Sequence, residues 1–234
     1  MEHAEYAPVA AAVRERAAAT GRVPFVVGVG GSVCVGKSTT CARLAASLAP
    51  AAVEVVTTDG FLFPNAELYA RGITAEKGFP HSYDVDAITA FLATLRSGSA
   101  GVRVPIYSHE IYDVVPDEQR VLGPADVVVV EGVNALRFRD LVDLGVYLHA
   151  EESVIETWYS DRLVATFAVA PPGSFYASLG YDETQQRAFA AQMWGLVNHR
   201  NLVEHIEPTR AFADIVVEKG PDHTVTGVEF VTPV

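Results

Sequence analysis

Cysteine is scarce, with Cys34 and Cys41 the two examples in 234 residues. That number excludes a disulfide framework and points to a reducing cytoplasm. Positive charge is also in short supply. Lys and Arg total 17 against 29 Asp and Glu, a net charge of −12, which argues against a nucleic-acid-binding face or an anionic-membrane face. No apolar run reaches the length of a membrane span, and no N-terminal stretch has the basic-then-apolar layout of a signal peptide. Internal repeats, low-complexity tracts and linkers are missing too. What is abundant is hydrophobic side chain, 50% of the residues, enough for a substantial core.

One stretch organises the rest. From Gly31 to Ser38 the sequence Gly-Ser-Val-Cys-Val-Gly-Lys-Ser fits G-x-x-x-x-G-K-[ST], the phosphate-binding loop. Phe25–Val29 before it reads as a buried strand and Thr39–Leu48 after it as a helix. Gly31 and Gly36 let the backbone curl so that amides point inward from Ser32, Val33, Val35 and Thr39, and the helix start adds partial positive charge. Lys37 reaches the β- and γ-phosphates, and the Ser38 hydroxyl holds Mg²⁺. Glycine-rich turns also join strands to helices without binding anything, but strand, loop, Lys-Ser pair and helix in register point to ATP or another nucleoside triphosphate.

Strands and helices alternate along the chain. Ala4–Thr20 reads as a helix, Ala52–Thr58 as a strand delivering Asp59, and Phe63–Tyr83 as loop with a short helix near Ala66–Ala70. Val85–Leu95 has helical periodicity, and Arg103–His109 is a short edge or irregular strand because of Pro105. Asp126–Gly132 is a continuous apolar run ending in an acid, as a central parallel strand should be. Leu144–His149 is a further strand, Glu152–Phe167 and Asp182–His205 are long helices separated by a loop at Pro171–Ser174, and Asp214–Glu218 and Val225–Val231 are closing strands. The expected fold is therefore α/β, of the P-loop NTPase type, with a mostly parallel sheet and helices on both faces. We expect one domain over 1–234, with 1–21 an N-terminal helix and 151–210 a helical lid over the acceptor.

Phosphoryl transfer to an alcohol needs an acid near Mg²⁺ and a base for the hydroxyl. Asp59 and Glu131 both fall at strand ends, where ligands of open parallel sheets sit. Glu131, after four valines, resembles the acid that ends a Walker B strand and would serve the metal; Asp59 is then the candidate base. Arg162 offers a cation for the moving phosphate, with Tyr159 on the same helix face, although alone it reads equally well as a solvated arginine. His109, flanked by Tyr107 and Tyr112, is on its own a structural histidine.

Several phrases together resemble the type I bacterial pantothenate kinases, relatives of uridine kinase and phosphoribulokinase. They are Gly31–Thr40, Thr57–Leu62 with Pro64-Asn65, Lys77–Pro80 with Ser82–Asp84, Pro105–His109, Tyr112–Val115, Glu131–Asn134, Trp158-Tyr159 with Arg162, Trp194 with Asn198 and Asn201, Pro208–Arg210, and Lys219 with His223. The resemblance implies ATP- and Mg²⁺-dependent phosphorylation of the primary hydroxyl of pantothenate. By the same resemblance Asp59 deprotonates the hydroxyl and Arg162 steadies the transferring group. Tyr107, His109, Tyr159 and Asn198 would line the acceptor pocket, and Lys219 and His223 would sit by the adenine. A cytoplasmic homodimer inhibited by coenzyme A is implied as well.

The sequence departs from that family in places. Few residues precede the loop, the connection after Asn134 is short, and Ala42 stands where the family has a basic residue linked to coenzyme A binding, with Arg43 beside it. After Arg162 come Leu163-Val164-Ala165-Thr166 where the family has aromatics, which return only at Phe167, Phe175 and Tyr176. Two alternatives therefore stand beside pantothenate: an enzyme for another small alcohol (a nucleoside, sugar acid or specialised metabolite), or a nucleotide-binding regulator without catalysis.

Overall fold

The computed structural model describes residues 4–231, so the first three residues of the expected N-terminal helix lie outside the described part. In chain order the elements are α1 (Ala7–Thr20), β1 (Phe25–Gly31), α2 (Lys37–Ser47), β2 (Val53–Thr57), α3 (Asn65–Ala70), α4 (Val85–Arg96), β3 (Arg103–Ser108) and β4 (Asp113–Val121). They continue with β5 (Val127–Glu131), β6 (Leu144–His149), α5 (Glu152–Ala168), α6 (Phe175–Leu179), α7 (Glu183–Met193), α8 (His199–Asn201), β7 (Ile215–Lys219) and β8 (Val225–Phe230).

The main sheet runs in the order β2-β5-β1-β6-β7-β8. It is parallel from β2 to β7, and β8 alone is antiparallel. The valine run of β5 shows why a central strand is apolar throughout. Val127 and Val129 enter the core formed with α1, α2 and α5, whereas Val128 and Val130 enter the core beneath α4. With both faces covered, alternation disappears, and each buried valine contributes roughly 1.5–3 kcal/mol. Register then sets the functional edge: Thr57 and Val29 both lie opposite Glu131. The segments leaving β1, β2 and β5 therefore emerge side by side.

Arg103–Ser108 is the irregular edge strand that Pro105 implies: it pairs with β4 in a separate antiparallel hairpin whose register shifts between Pro105 and Tyr107, lying against the 3₁₀ turn Thr58–Phe61. β4 itself escaped the sequence reading because Asp113-Val-Val-Pro-Asp-Glu-Gln-Arg-Val121 carries charges and a proline on a strand that is mostly exposed; its paired backbone, not a buried face, makes it a strand. The helix expected over Asp182–His205 starts with a capping box between Asp182 and Gln185. It then passes through π-helical turns at Trp194–Asn198 and Leu202–Ile206, which bracket α8. No described helix is long and apolar enough to cross a membrane.

Candidate active site

The loop between β1 and α2 is closed by Gly36, whose left-handed backbone (φ 86°) occupies the N-cap of α2. A side chain there would be strained, and no side chain caps the helix. The first-turn amides of α2 thus remain for an anion. Lys37 folds back over the loop, its Nζ donating to the Gly31 carbonyl at 3.2 Å and the Ser32 carbonyl at 2.8 Å. The Ser32 hydroxyl is buried without a hydrogen-bond partner. Arg162 reaches the same loop from α5, with Nη1 4.0 Å from Cys34 Sγ. Burial pushes the Cys34 thiol up, against the pull of Arg162 and Lys37.

The two carboxylates stand beside this loop. Ser38 Oγ donates to Glu131 Oε1 at 2.9 Å. Glu131 is buried, which pushes its carboxyl above the ordinary 4.5; Asp59 adds to the shift, while Lys37, the Ser38 hydrogen bond and His109 oppose it. The next residue must be glycine for steric reasons, since a Cβ on Gly132 would fall 1.8 Å from Thr58 Oγ1. That close approach brings the turn carrying Asp59 against the end of β5. Asp59 Oδ1 accepts from the Tyr83 hydroxyl at 3.2 Å.

Beyond Asp59 a polar and aromatic cluster takes over. The Tyr107 ring lies 5.1 Å from the His109 ring and 6.4 Å from that of Tyr112. Lys77 Nζ sits 5.1 Å from the Tyr107 ring centre and 4.4 Å from that of Tyr112, and donates to Asn65 Oδ1 and the Tyr112 carbonyl, each at 2.6 Å. Burial lowers the affinity of Lys77 for its proton, with Asp113 and Asp59 acting the other way. Sequence reasoning gave Lys77 no role, although it lies within the quoted Lys-Gly-Phe-Pro phrase.

From the opposite side come Tyr159 and Asn198. Burial pushes the Tyr159 phenol up to about 12; a hydrogen bond from Asn198 opposes the shift, and Tyr176 and Tyr112 add to it. Tyr176, on α6, also feels Arg162. An aromatic ring therefore does reach this side, supplied by α6, whereas Leu163 is buried in the protein interior.

Lys219 and His223 approach the loop at Gly36, where a Cβ would lie 3.8 Å from His223 Nδ1 and 3.9 Å from Lys219 Nζ. Lys219 is buried and donates to the Tyr6 hydroxyl at 2.9 Å and the His223 carbonyl at 3.1 Å. Tyr6 in turn bonds Thr40 Oγ1 at 3.0 Å; nothing in the alanine-rich first helix marks that residue in the sequence. The His223 ring stacks on Trp158 at 3.8 Å. Burial, then Lys219, disfavours its protonation, with Asp222 opposing. Arg43, beside Ala42, is ion-paired with Glu5. A cavity of about 570 Å³ at the other end of the strands is lined by Arg16, Arg22, Arg96 and Arg139. Its arginines are ion-paired with Asp143 and Asp214, which makes it a brace between elements.

Residues 26–163 match the model of the phosphoribulokinase/uridine kinase family. The chain belongs to that family. It is 47% identical over 226 residues to a pantothenate kinase of Sorangium cellulosum (strain So ce56), covering 89% of this chain and 73% of the relative. With a pantothenate kinase of Streptomyces coelicolor it shares 43% over 222 residues, 86% of this chain and 68% of the relative. Among solved structures, a D-glycerate 3-kinase from Cryptococcus neoformans superposes with a TM-score of 0.70 at 14% identity, over 98% of this chain and 99% of the other. Phosphoribulokinase from Rhodobacter spheroides gives 0.55 at 12%, over 89% and 80%. At such identities these two similarities establish the fold alone.

As a member of this P-loop kinase family the chain binds ATP, and its residues fit the ligand. The uncapped first turn of α2, the orphaned Ser32 hydroxyl and a lysine turned onto two carbonyls form an anion cradle. The Ser38–Glu131 pair offers the hard oxygen donors that magnesium prefers. No cluster of three or more His, Cys, Asp or Glu is poised to hold a metal among the described residues. Phosphate oxygens would have to complete a magnesium shell, the usual arrangement in kinases.

Proposed function

We propose that this protein is a pantothenate kinase: it transfers the γ-phosphoryl group of ATP to the primary hydroxyl of pantothenate, the first step of coenzyme A synthesis. The observation that carries this reading is the likeness to pantothenate kinases at 41–47% identity over most of the chain, in a fold where Lys37, Ser38, Asp59 and Glu131 meet at one sheet edge.

In this reading the loop amides and Lys37 bind the β- and γ-phosphates, and Ser38 and Glu131 hold the magnesium that offsets their charge. Asp59 takes the proton from the acceptor hydroxyl as the alcohol oxygen bonds to the γ-phosphorus and the bond to ADP breaks. Arg162, which extends over the loop at Cys34, stabilises charge on the group in transit. Tyr107, His109, Tyr159 and Asn198 orient the acceptor, and Lys219 and His223 support the adenine side. The proposal includes one P-loop domain over 1–234 with 151–210 as its lid, a cytoplasmic homodimer, and inhibition by coenzyme A in competition with ATP.

A coupled ADP-release assay across acceptor alcohols tests the reading. We expect turnover with pantothenate that depends on magnesium. Turnover only with a nucleoside, sugar acid or other alcohol would replace pantothenate as substrate, and nucleotide binding without any turnover would make the protein a regulator.

A further inference from the structure

Asp59 has two carboxylate oxygens, and a base works only if one of them is aimed at the hydroxyl. The segment that settles this lies over 20 residues further along. Leu62 and Tyr83 form an isolated antiparallel bridge. It is flanked by hydrogen bonds from Phe63 N to the Ser82 carbonyl (2.9 Å) and from Asp84 N to the Phe61 carbonyl (2.8 Å). Asp84 then caps α4 by accepting from Ala87 N at 2.9 Å. The backbone of Tyr83 is thus fastened to the turn that carries Asp59, and its ring is buried in the core that includes Phe61, Ile88 and Phe91. The hydroxyl leaves that core at one point and donates to Asp59 Oδ1 at 3.2 Å.

From this geometry we infer that Tyr83 is a positioning residue for the phosphoryl-transfer base: by occupying Oδ1 it fixes the carboxylate plane and leaves Oδ2 to receive the alcohol proton. The inference rests on Asp59 being the base. A ring packed on all sides cannot follow the carboxylate if it turns, so the hydrogen bond holds one rotamer of Asp59. The donor is also permanent. Burial first, then the charge of Asp59, its hydrogen bond, and the neighbouring Tyr107 and Glu131 push ionisation of this phenol well above the ordinary tyrosine range. Hydrogen bonds to charged acceptors are worth more than neutral ones.

A double-mutant cycle tests the inference, using Tyr83→Phe, Asp59→Asn and the pair, with kcat, both KM values, Mg–ATP affinity by calorimetry and melting temperature measured for each. Phe keeps the packing and removes only the donor. Tyr83→Phe should lower kcat roughly tenfold or more, the scale of one hydrogen bond to a charged group, and leave Mg–ATP affinity unchanged. Asp59→Asn should lower kcat by roughly 10²-fold or more, as loss of a general base does. On that background the Tyr83 substitution should change kcat little, because no base is left to aim. Wild-type kcat in Tyr83→Phe would overturn the inference while leaving Asp59 as base. A full second loss in the double variant would overturn it too, marking Tyr83 as a support of the fold. Normal turnover in Asp59→Asn would instead overturn the base itself, and this inference with it.

Discussion

The phosphate-loop side of this site and the side around Tyr107 and Tyr159 are built by different means. The nucleotide end is local: β1, its loop and the first turn of α2 are consecutive, and Glu131 joins them through strand register. Most of its recognition is backbone geometry, with Gly36 in the left-handed region and Gly132 pressed on Thr58. The side that we propose takes the acceptor is assembled from side chains on the β3–β4 hairpin, the Lys77 loop, α5, α6 and a π-helical turn. It rests on elements that are largely exposed, β4 above all. Backbone cradles need few particular residues and tolerate little change, whereas side-chain clusters draw on several elements, Tyr176 of α6 among them.

The division is testable by substitution at each end. The largest effect is expected from Lys37→Ala, which should weaken Mg–ATP binding and lower kcat together, with kcat/KM falling on the order of 10²–10³-fold. An intact ATP affinity and rate would break the division at its strong end. Asn198→Ala should act on the other side only, raising KM for pantothenate about tenfold, the worth of one lost hydrogen bond. Steady-state kinetics with calorimetry for ATP separates the two, and a matching loss of ATP affinity would show the ends are not independent.

The smallest effect concerns stability. The Glu131 carboxyl titrates above 4.5 in the folded protein, so the native state keeps a proton that the unfolded chain has already released. Native stability therefore falls as pH rises from that value through the folded one, and the penalty persists above it. Glu131→Gln removes the penalty. Without nucleotide it should melt higher than the parent at pH 7–8, by about 2–4 °C if the burial is worth 1 kcal/mol, and alike near pH 4. Calorimetric melting that places the variant lower throughout would mean that the carboxylate is stabilising and the sign is wrong.

Legibility followed the same division. The phosphate loop, Asp59 and Glu131 could be read because each ends an apolar run or satisfies a short motif whose spacing is set by backbone geometry. Trp194–Ile206 was readable as helix but not as π-helix, since one extra residue per turn leaves the amphipathic pattern nearly intact. Tyr83 and Lys77 stood inside quoted phrases with no role, because a tyrosine or a lysine in a loop carries no periodic signal. The sequence located Leu163–Gly180 as a departure from the family and named Tyr176 within it, but not that α6 brings this ring toward Tyr159 and Arg162. Tyr6, reaching Lys219 across nearly the whole chain, left no local trace.

By itself the sequence determined a mostly parallel α/β sheet, a triphosphate loop and the strand ends that face it, since hydrophobic period and glycine chemistry act over a few neighbouring residues. Only the tertiary structure decided which oxygen of Asp59 accepts from Tyr83, how Lys77 packs on Tyr107 and Tyr112, and which element brings Tyr176 toward Tyr159. Those are distances between segments remote in the chain, and they are set by packing of whole elements, for which no short stretch of sequence carries the information.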